Sequence, residues 1–283
     1  MGMSLAAFRG DRLNARAARS TVWLTLAYGA AQALRLASNL ILARILFPEA
    51  FGLMALVTVF LVGLTMFSDL GLGPAVAQHK RGDDPDFLNT GWTLQVIRGV
   101  ILWLICCGLA WPLAQFYDTP MLAQVLPVAG LTLLVQGFRP TRIFTANRHL
   151  VLGRLSALEL LAQAIGVVAM ILLALLTRSV WALVIGGIVG IAAQLALTSL
   201  FLPGAGNRFR WDRHAVAELS RFGKWIFLST ICGFFLAQGD KAILGKVLNL
   251  DILGLYNIAF FLASFPVLLG LSVASRIMIP LYR

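Results

Sequence analysis

Charge is what this sequence has least of. Asp, Glu, Lys and Arg supply 12% of its 283 residues, and only 12 of those residues are acidic. A soluble globular domain carries about 25% charged residues, so that class is excluded. The 59% share of apolar residues and the mean hydropathy of +0.86 exclude it independently. Cysteine is sparse as well. Cys106, Cys107 and Cys232 lie in apolar runs without C-x-x-C spacing, and His79, His149 and His214 fall in separate connectors. Neither a metal site nor a nucleophile dyad is expected, and no cofactor. Gly71-Leu72-Gly73 lacks the Gly-Lys-Ser/Thr that completes a phosphate loop. Asp83-Asp84-Pro85-Asp86 reads as a solvated turn and helix cap rather than a catalytic pair. No catalytic residue is assigned, and the chain is read as a non-enzyme.

Long apolar runs are what fill the sequence. They extend roughly over Ser20 to Ala43, Phe51 to Val76, Thr90 to Leu113, Met121 to Phe144, Leu152 to Leu176, Val180 to Leu202, Lys224 to Leu248 and Leu253 to Met278. Each is about long enough to cross 30 Å of hydrocarbon as a helix. The fold class expected is all-α: a polytopic membrane helix bundle of about eight transmembrane helices. The division expected is a basic segment 1–19, a six-helix lobe 20–202, a basic linker 203–223, and the first two helices of a second lobe, 224–283.

Positive charge gathers on alternate connectors: Arg9 to Arg19, Lys80 and Arg81, Arg139 to Arg154, Arg208 to Lys224, then Arg276 and Arg283. The intervening connectors hold Arg44, Arg178 and Lys246. Cytoplasmic connectors retain Lys and Arg, so the N-terminus is expected in the cytoplasm of a multi-pass inner-membrane protein. The net charge of +11 is then a consequence of topology, and no nucleic-acid partner is expected. Phe209, Trp211 and Phe222, interleaved with arginines, are placed to meet anionic membrane lipids.

Polar groups inside the spans carry the functional expectation, because lipid tolerates them poorly. In the first span Thr21, Thr25, Tyr28, Gln32, Arg35 and Asn39 recur at steps of three and four, which is one helix face. The fifth span repeats this with Ser156, Glu159, Gln163 and Gly166, and the third with Gln95 and Arg98. Deep in the seventh span stand Asp240 and Lys241, about 100° apart on a helix and so in need of separate partners; Arg35 matches Asp240 in depth. Pro127 and Pro266 are expected to interrupt the fourth and eighth helices, and Gly71, Gly73 and Pro74 to break the end of the second.

Three stretches carry a resemblance. Leu42-Ala43-Arg44-Ile45-Leu46-Phe47-Pro48-Glu49-Ala50-Phe51-Gly52, Phe67-Ser68-Asp69-Leu70-Gly71-Leu72-Gly73 with Ala77-Gln78, and Gly239 to Gly245 with Leu253-Gly254-Leu255-Tyr256-Asn257 resemble link and helix-end motifs of bacterial polysaccharide and oligosaccharide flippases. They occur in the family's order over essentially the whole chain. The resemblance implies two six-helix lobes around a cavity that alternates between the membrane faces, and hence a C-terminally truncated chain. It also implies a substrate, a sugar repeat on undecaprenyl diphosphate, with a polysaccharide polymerase and assembly proteins as further partners. The motifs around Arg44, Asp69 and Gly245 are read as turns and helix ends. Substrate contact is assigned to Arg35, Arg98 and Lys241, whose charge suits a diphosphate, and to Gln32, Asn39, Gln95, Glu159 and Gln163. Asp69 and Asp240 are assigned to ion coupling or structural pairing. The competing readings are a cation-coupled multidrug or metabolite exporter of the same superfamily and, from another class, a membrane glycosyltransferase or polymerase.

Overall fold

The computed structural model describes residues 13–69, 71–78, 81–149, 152–204 and 206–264. Most of the basic segment 1–19, His79, Lys80, Pro266, Arg276, Arg283 and the end of the eighth expected span lie outside those residues, as do the side chains of Thr21, Thr25 and Phe222. Among the described residues every regular element is a helix: α1 (Leu13–Ile45), α2 (Pro48–Phe67), α3 (Leu72–Gln78), α4 (Pro85–Phe116), α5 (Leu122–Gly137), α6 (Arg142–Arg148), α7 (Leu152–Thr177), α8 (Trp181–Phe201), α9 (Arg213–Val247) and α10 (Leu250–Ser264). By length and composition α2, α4, α7 and α8 can each cross a membrane, and the bent pair α5 and α6 makes a fifth span. The all-α membrane bundle expected from the apolar runs is therefore what forms.

Two spans are broken. The second stops at Phe67 and resumes at Leu72, since Gly71 takes a positive φ of 61° that side-chain-bearing residues rarely adopt. There the Asp69 carboxylate accepts from the Gly71 N–H at 2.9 Å. The fourth span bends by 60° between α5 and α6. Pro127 was expected to cause that interruption, yet α5 runs through it. The bend falls at Phe138–Thr141, where Pro140 disfavours helical geometry at the preceding Arg139. Helix α9 starts at Arg213, ahead of the expected Lys224, because the Asp212 carboxylate caps it by accepting from the His214 N–H at 2.9 Å.

In the packing α1 lies on α7, α7 on α8, α8 on α5, and α5 on α4 and α2; α9 lies across α2 and α4. The largest apolar cluster, with Leu53, Leu56, Cys106, Leu122, Leu126, Val184 and Leu253, fills the end of the bundle where charge is sparse. Helix α10 docks there onto α2. A Cβ on Gly254 would collide with the Pro48 carbonyl, and one on Gly52 with the Leu250 carbonyl. Glycine is required at both places by backbone approach.

At the basic end the chain between α8 and α9 is extended and strapped along α4. The N–H groups of Arg208, Arg210 and Asp212 donate to Asn89 Oδ1 at 2.9 Å, Thr93 Oγ1 at 3.0 Å and Thr90 Oγ1 at 3.2 Å. Alternate residues do the bonding because an extended chain turns every second residue to the same side. Phe209 packs on Trp92 with ring centroids 4.8 Å apart. Arg81 bridges Asp84 at 2.8 Å and Asp212 at 3.2 Å.

Candidate functional site

Polar residues of α1, α4 and α7 border two adjoining hollows between the helices. The first, about 320 Å³, is lined by Thr65, Gln95, Arg98, Gln136, Arg139, Asn147 and Glu159 among others. The second, about 640 Å³, lies among α1, α7 and α8 and is lined by Arg35, Ser38, Asn39, Arg139, Glu159, Gln163 and Gln194 together with glycines of α7 and α8. Arg139 and Glu159 line both. The α7–α8 seam is built on small residues: a Cβ on Gly166 would stand 2.8 Å from the Gly190 Cα, so these helix backbones pass close together.

Within the first hollow the two candidates on α4 are partly committed to helix ends. A helix leaves its last carbonyls unsatisfied and negative, and a donor from a neighbouring helix can complete them. Arg98 Nη2 donates to the Thr65 carbonyl at 2.6 Å and Nε to Ser68 Oγ at 2.9 Å, closing the C-terminus of α2 at its break. Gln95 Nε2 donates to the Gln136 carbonyl at 3.0 Å and reaches those of Gly137 and Arg139 at 3.3 and 3.4 Å, closing α5. The same device recurs at the basic end, where Arg142 Nη1 donates to the Leu202 carbonyl at 2.8 Å after α8 and Arg148 Nη1 to that of Val76 at 2.6 Å in α3.

The second hollow is differently arranged. Gln163 Nε2 donates to the Ala31 carbonyl at 2.9 Å and ties α7 to α1. Arg139 Nη2 stands 3.7 Å from Glu159 Oε1, and Gln194 Nε2 donates to that same oxygen at 3.4 Å. The Nε of Arg139 is buried without a hydrogen-bond partner. Buried polar groups are ordinarily satisfied, so this guanidinium retains capacity for a further acceptor.

Of the expected residues, Arg35, Asn39, Glu159 and Gln163 thus share the second hollow, and Arg98, Gln95 and Glu159 the first. Gln32 is 4% exposed and donates to the Tyr28 hydroxyl of its own helix at 2.8 Å. Lys241 and Asp240 lie elsewhere. The Lys241 ammonium sits 4.5 Å over the Phe260 ring, and the Asp240 carboxylate accepts from the Tyr256 hydroxyl at 2.6 Å, a partner on α10 in place of the anticipated Arg35. Asp69 serves the turn at Gly71. Sequence reasoning missed Arg139 and Gln194. A lone glutamine in the largely apolar α8 is the available signal for Gln194, whereas Arg139 reads in the sequence as a connector charge.

A bundle of apolar helices that keeps arginines and amides in hollows between those helices is a multi-pass membrane protein. The chain belongs to the polysaccharide biosynthesis protein family, which it matches over residues 41–282. It is similar to the succinoglycan biosynthesis transport protein ExoT of Rhizobium meliloti, 26% identical over 270 residues that make up 93% of this chain and 53% of that protein. It is also similar to the lipopolysaccharide biosynthesis protein WzxC of Escherichia coli, 22% identical over 269 residues, 92% of this chain and 53% of that one. A third relative, the amylovoran biosynthesis protein AmsL of Erwinia amylovora, is 25% identical over 211 residues, 71% and 53% of the two chains. The chain spans about half the length of these curated relatives. No solved structure matches it.

Proposed function

We propose that the chain forms the first lobe, and the opening helices of a second, of a transporter that moves oligosaccharide or polysaccharide repeat units on undecaprenyl diphosphate across the bacterial inner membrane. The N-terminus and the basic end face the cytoplasm, in keeping with the bias of Lys and Arg. The carrying observation is that Arg35, Arg98 and Arg139 border two adjoining hollows whose described lining residues include one carboxylate, Glu159. Guanidinium groups in a low-dielectric hollow stabilise a diphosphate that hydrocarbon rejects, while the lipid tail remains in the bilayer. Gln136, Asn147, Asn39 and Gln163 offer amides to sugar hydroxyls. Alternation between the faces is rocking of one lobe against another about this level.

The same tally disfavours an exporter of cationic drugs, which three arginines would repel. A glycosyltransferase or polymerase needs acidic residues on a sizeable outer segment, whereas the described connectors at the charge-poor end run only from Leu46 to Phe47, Tyr117 to Met121, Arg178 to Val180 and Leu248 to Asn249. A polymerase and assembly proteins remain as partners that would receive the exported units. The test is export of surface glycan by cells that depend on this protein. Arg35→Ala and Arg139→Ala, expressed and inserted normally, should each reduce export at least about tenfold, the scale of one lost charge-assisted contact. Wild-type export by both would refute the cationic hollow.

A further inference from the structure

We propose that Glu159 is the release residue of these hollows: a carboxylate that competes with the anionic headgroup for Arg139 and keeps its stay short. This rests on the cationic reading above. A site that moves its ligand onward must attract it and still let it go. Three arginines with nothing to oppose them would satisfy only the first requirement, because each charge-assisted contact to a diphosphate oxygen strengthens the hold.

The geometry places the opposing charge where it acts on the guanidinium that both hollows share. Glu159 Oε1 lies 3.7 Å from Arg139 Nη2, well beyond the 2.8 Å of the Arg81–Asp84 pair. The loose pair leaves Arg139 Nε buried without a partner and open to an incoming acceptor. Gln194 holds the carboxylate from the α8 side through its amide. The charged group that faces Glu159 is Arg139 from the bend; Arg98 from α4 lines the first hollow with it and Arg35 from α1 the second, while α6 and α8 contribute only neutral lining residues, among them Asn147 and Gln194. Among the described lining residues Glu159 is the sole carboxylate. An entering diphosphate takes Arg139 from it and stands beside it as a like charge, which favours a proton on the displaced carboxylate. Deprotonation restores the competitor, which retakes Arg139 and expels the anion. Positioning and affinity, not bond chemistry, are the work of this residue.

Two consequences separate this role from a structural one. Glu159→Gln keeps the shape and the bond to Gln194 but removes the competing charge. It should bind inorganic pyrophosphate about tenfold tighter at pH 8 while exporting glycan more slowly, a split that simple destabilisation does not produce. The gain should vanish in Arg139→Gln/Glu159→Gln, since the competition is for Arg139. As pH falls and Glu159 takes up its proton, wild type should converge on Glu159→Gln; the probe's own protonation cancels in the ratio of the two. The experiment is calorimetric titration of the purified full chain in detergent with inorganic pyrophosphate from pH 8 to pH 5. Equal affinities of wild type and Glu159→Gln at pH 8, with binding intact, overturn the release role and leave the cationic hollow standing. Absence of binding by every form overturns the cationic hollow and the release role together. Should Glu159→Gln fail to accumulate, wild type against Arg139→Gln decides: their affinity ratio must rise as pH falls, and a flat ratio overturns the proposal.

Discussion

The α1–α8 lobe and the α9–α10 limb both keep positive charge among apolar helices, and they treat it in opposite ways. In the lobe Arg35, Arg98 and Arg139 border hollows that also admit Gln136, Asn147 and Gln163. In the limb Lys241 is 9% exposed and covered by the face of Phe260, with Asp240 beside it in sequence engaged by Tyr256. A cation–π cover is a private arrangement that stabilises a charge without offering it to a ligand. Depth in the membrane therefore does not by itself bring a charge to a shared hollow.

The largest effect is expected where limb and lobe join. Gly254→Val would drive side-chain atoms into the Pro48 carbonyl at the start of α2, and neither backbone can yield without moving a helix. Overpacking of this kind costs about 3 kcal/mol or more. The expected outcome is loss of most folded protein from the membrane fraction, read by fluorescence size-exclusion chromatography, with Gly254→Ala affected less. Normal yield of Gly254→Val would show that α10 is not locked onto α2. Next in size is a matched pair inside the membrane. Arg98→Ala strips the α2 terminus of its donors and removes a hollow cation, which costs about 2–3 kcal/mol of stability and lowers glycan export. Lys241→Met loses the ring contact, about 1 kcal/mol, together with the attraction of the neighbouring Asp240, and leaves export near wild type. Equal loss of export in both would place Lys241 in the path after all.

Much of this contrast could be read in the sequence, and the remainder could not for a definite reason. The succession of apolar runs, the break at Gly71 and the polar faces of α1, α4 and α7 follow from periodicity and backbone chemistry, which are local. Residues of the resemblance motifs stand at joints: Asp69 at the break, Gly52 and Gly254 at the α2–α10 contact, Asp240 on Tyr256. What no local pattern carries is which helix end lies beside which helix middle. Nothing local to Gln95 and Arg98 tells that the C-termini of α5 and α2 lie against them. Arg139 looks like a connector charge until the 60° bend brings that connector to the hollows.

The smallest effect concerns the other tie between lobe and limb, the strap that ends at Asp212. The Asp212 carboxyl is held below its ordinary value first by the His214 N–H that it caps and then by Arg81; Asp84 is held low first by its hydrogen bond from Arg81. A carboxyl depressed in the folded state contributes stability that is present above its unfolded value, about 4, and is lost as pH falls through the folded one. Arg81 is shifted up by the same bonds, first by that to Asp84, so its share is fully present below its unfolded value and does not change over the acid range. Acid alone should therefore loosen the strap, with the change confined to below about pH 4. Trypsin cleavage after Arg208, Arg210 and Arg213 reads that loosening at neutral pH in Asp212→Asn, and the melting midpoint reads it in acid. The variant should be cut faster than wild type at pH 8, and its melting midpoint should fall less between pH 5 and pH 3, because one of the carboxyls that drive the fall is gone. The shift should be small, since these groups are at the surface, where water screens the pairs. An Asp212→Asn protein with wild-type proteolysis and wild-type acid sensitivity would mean that the strap is held by its backbone bonds to Asn89, Thr90 and Thr93 alone, and that lobe and limb are tied at this end without charge.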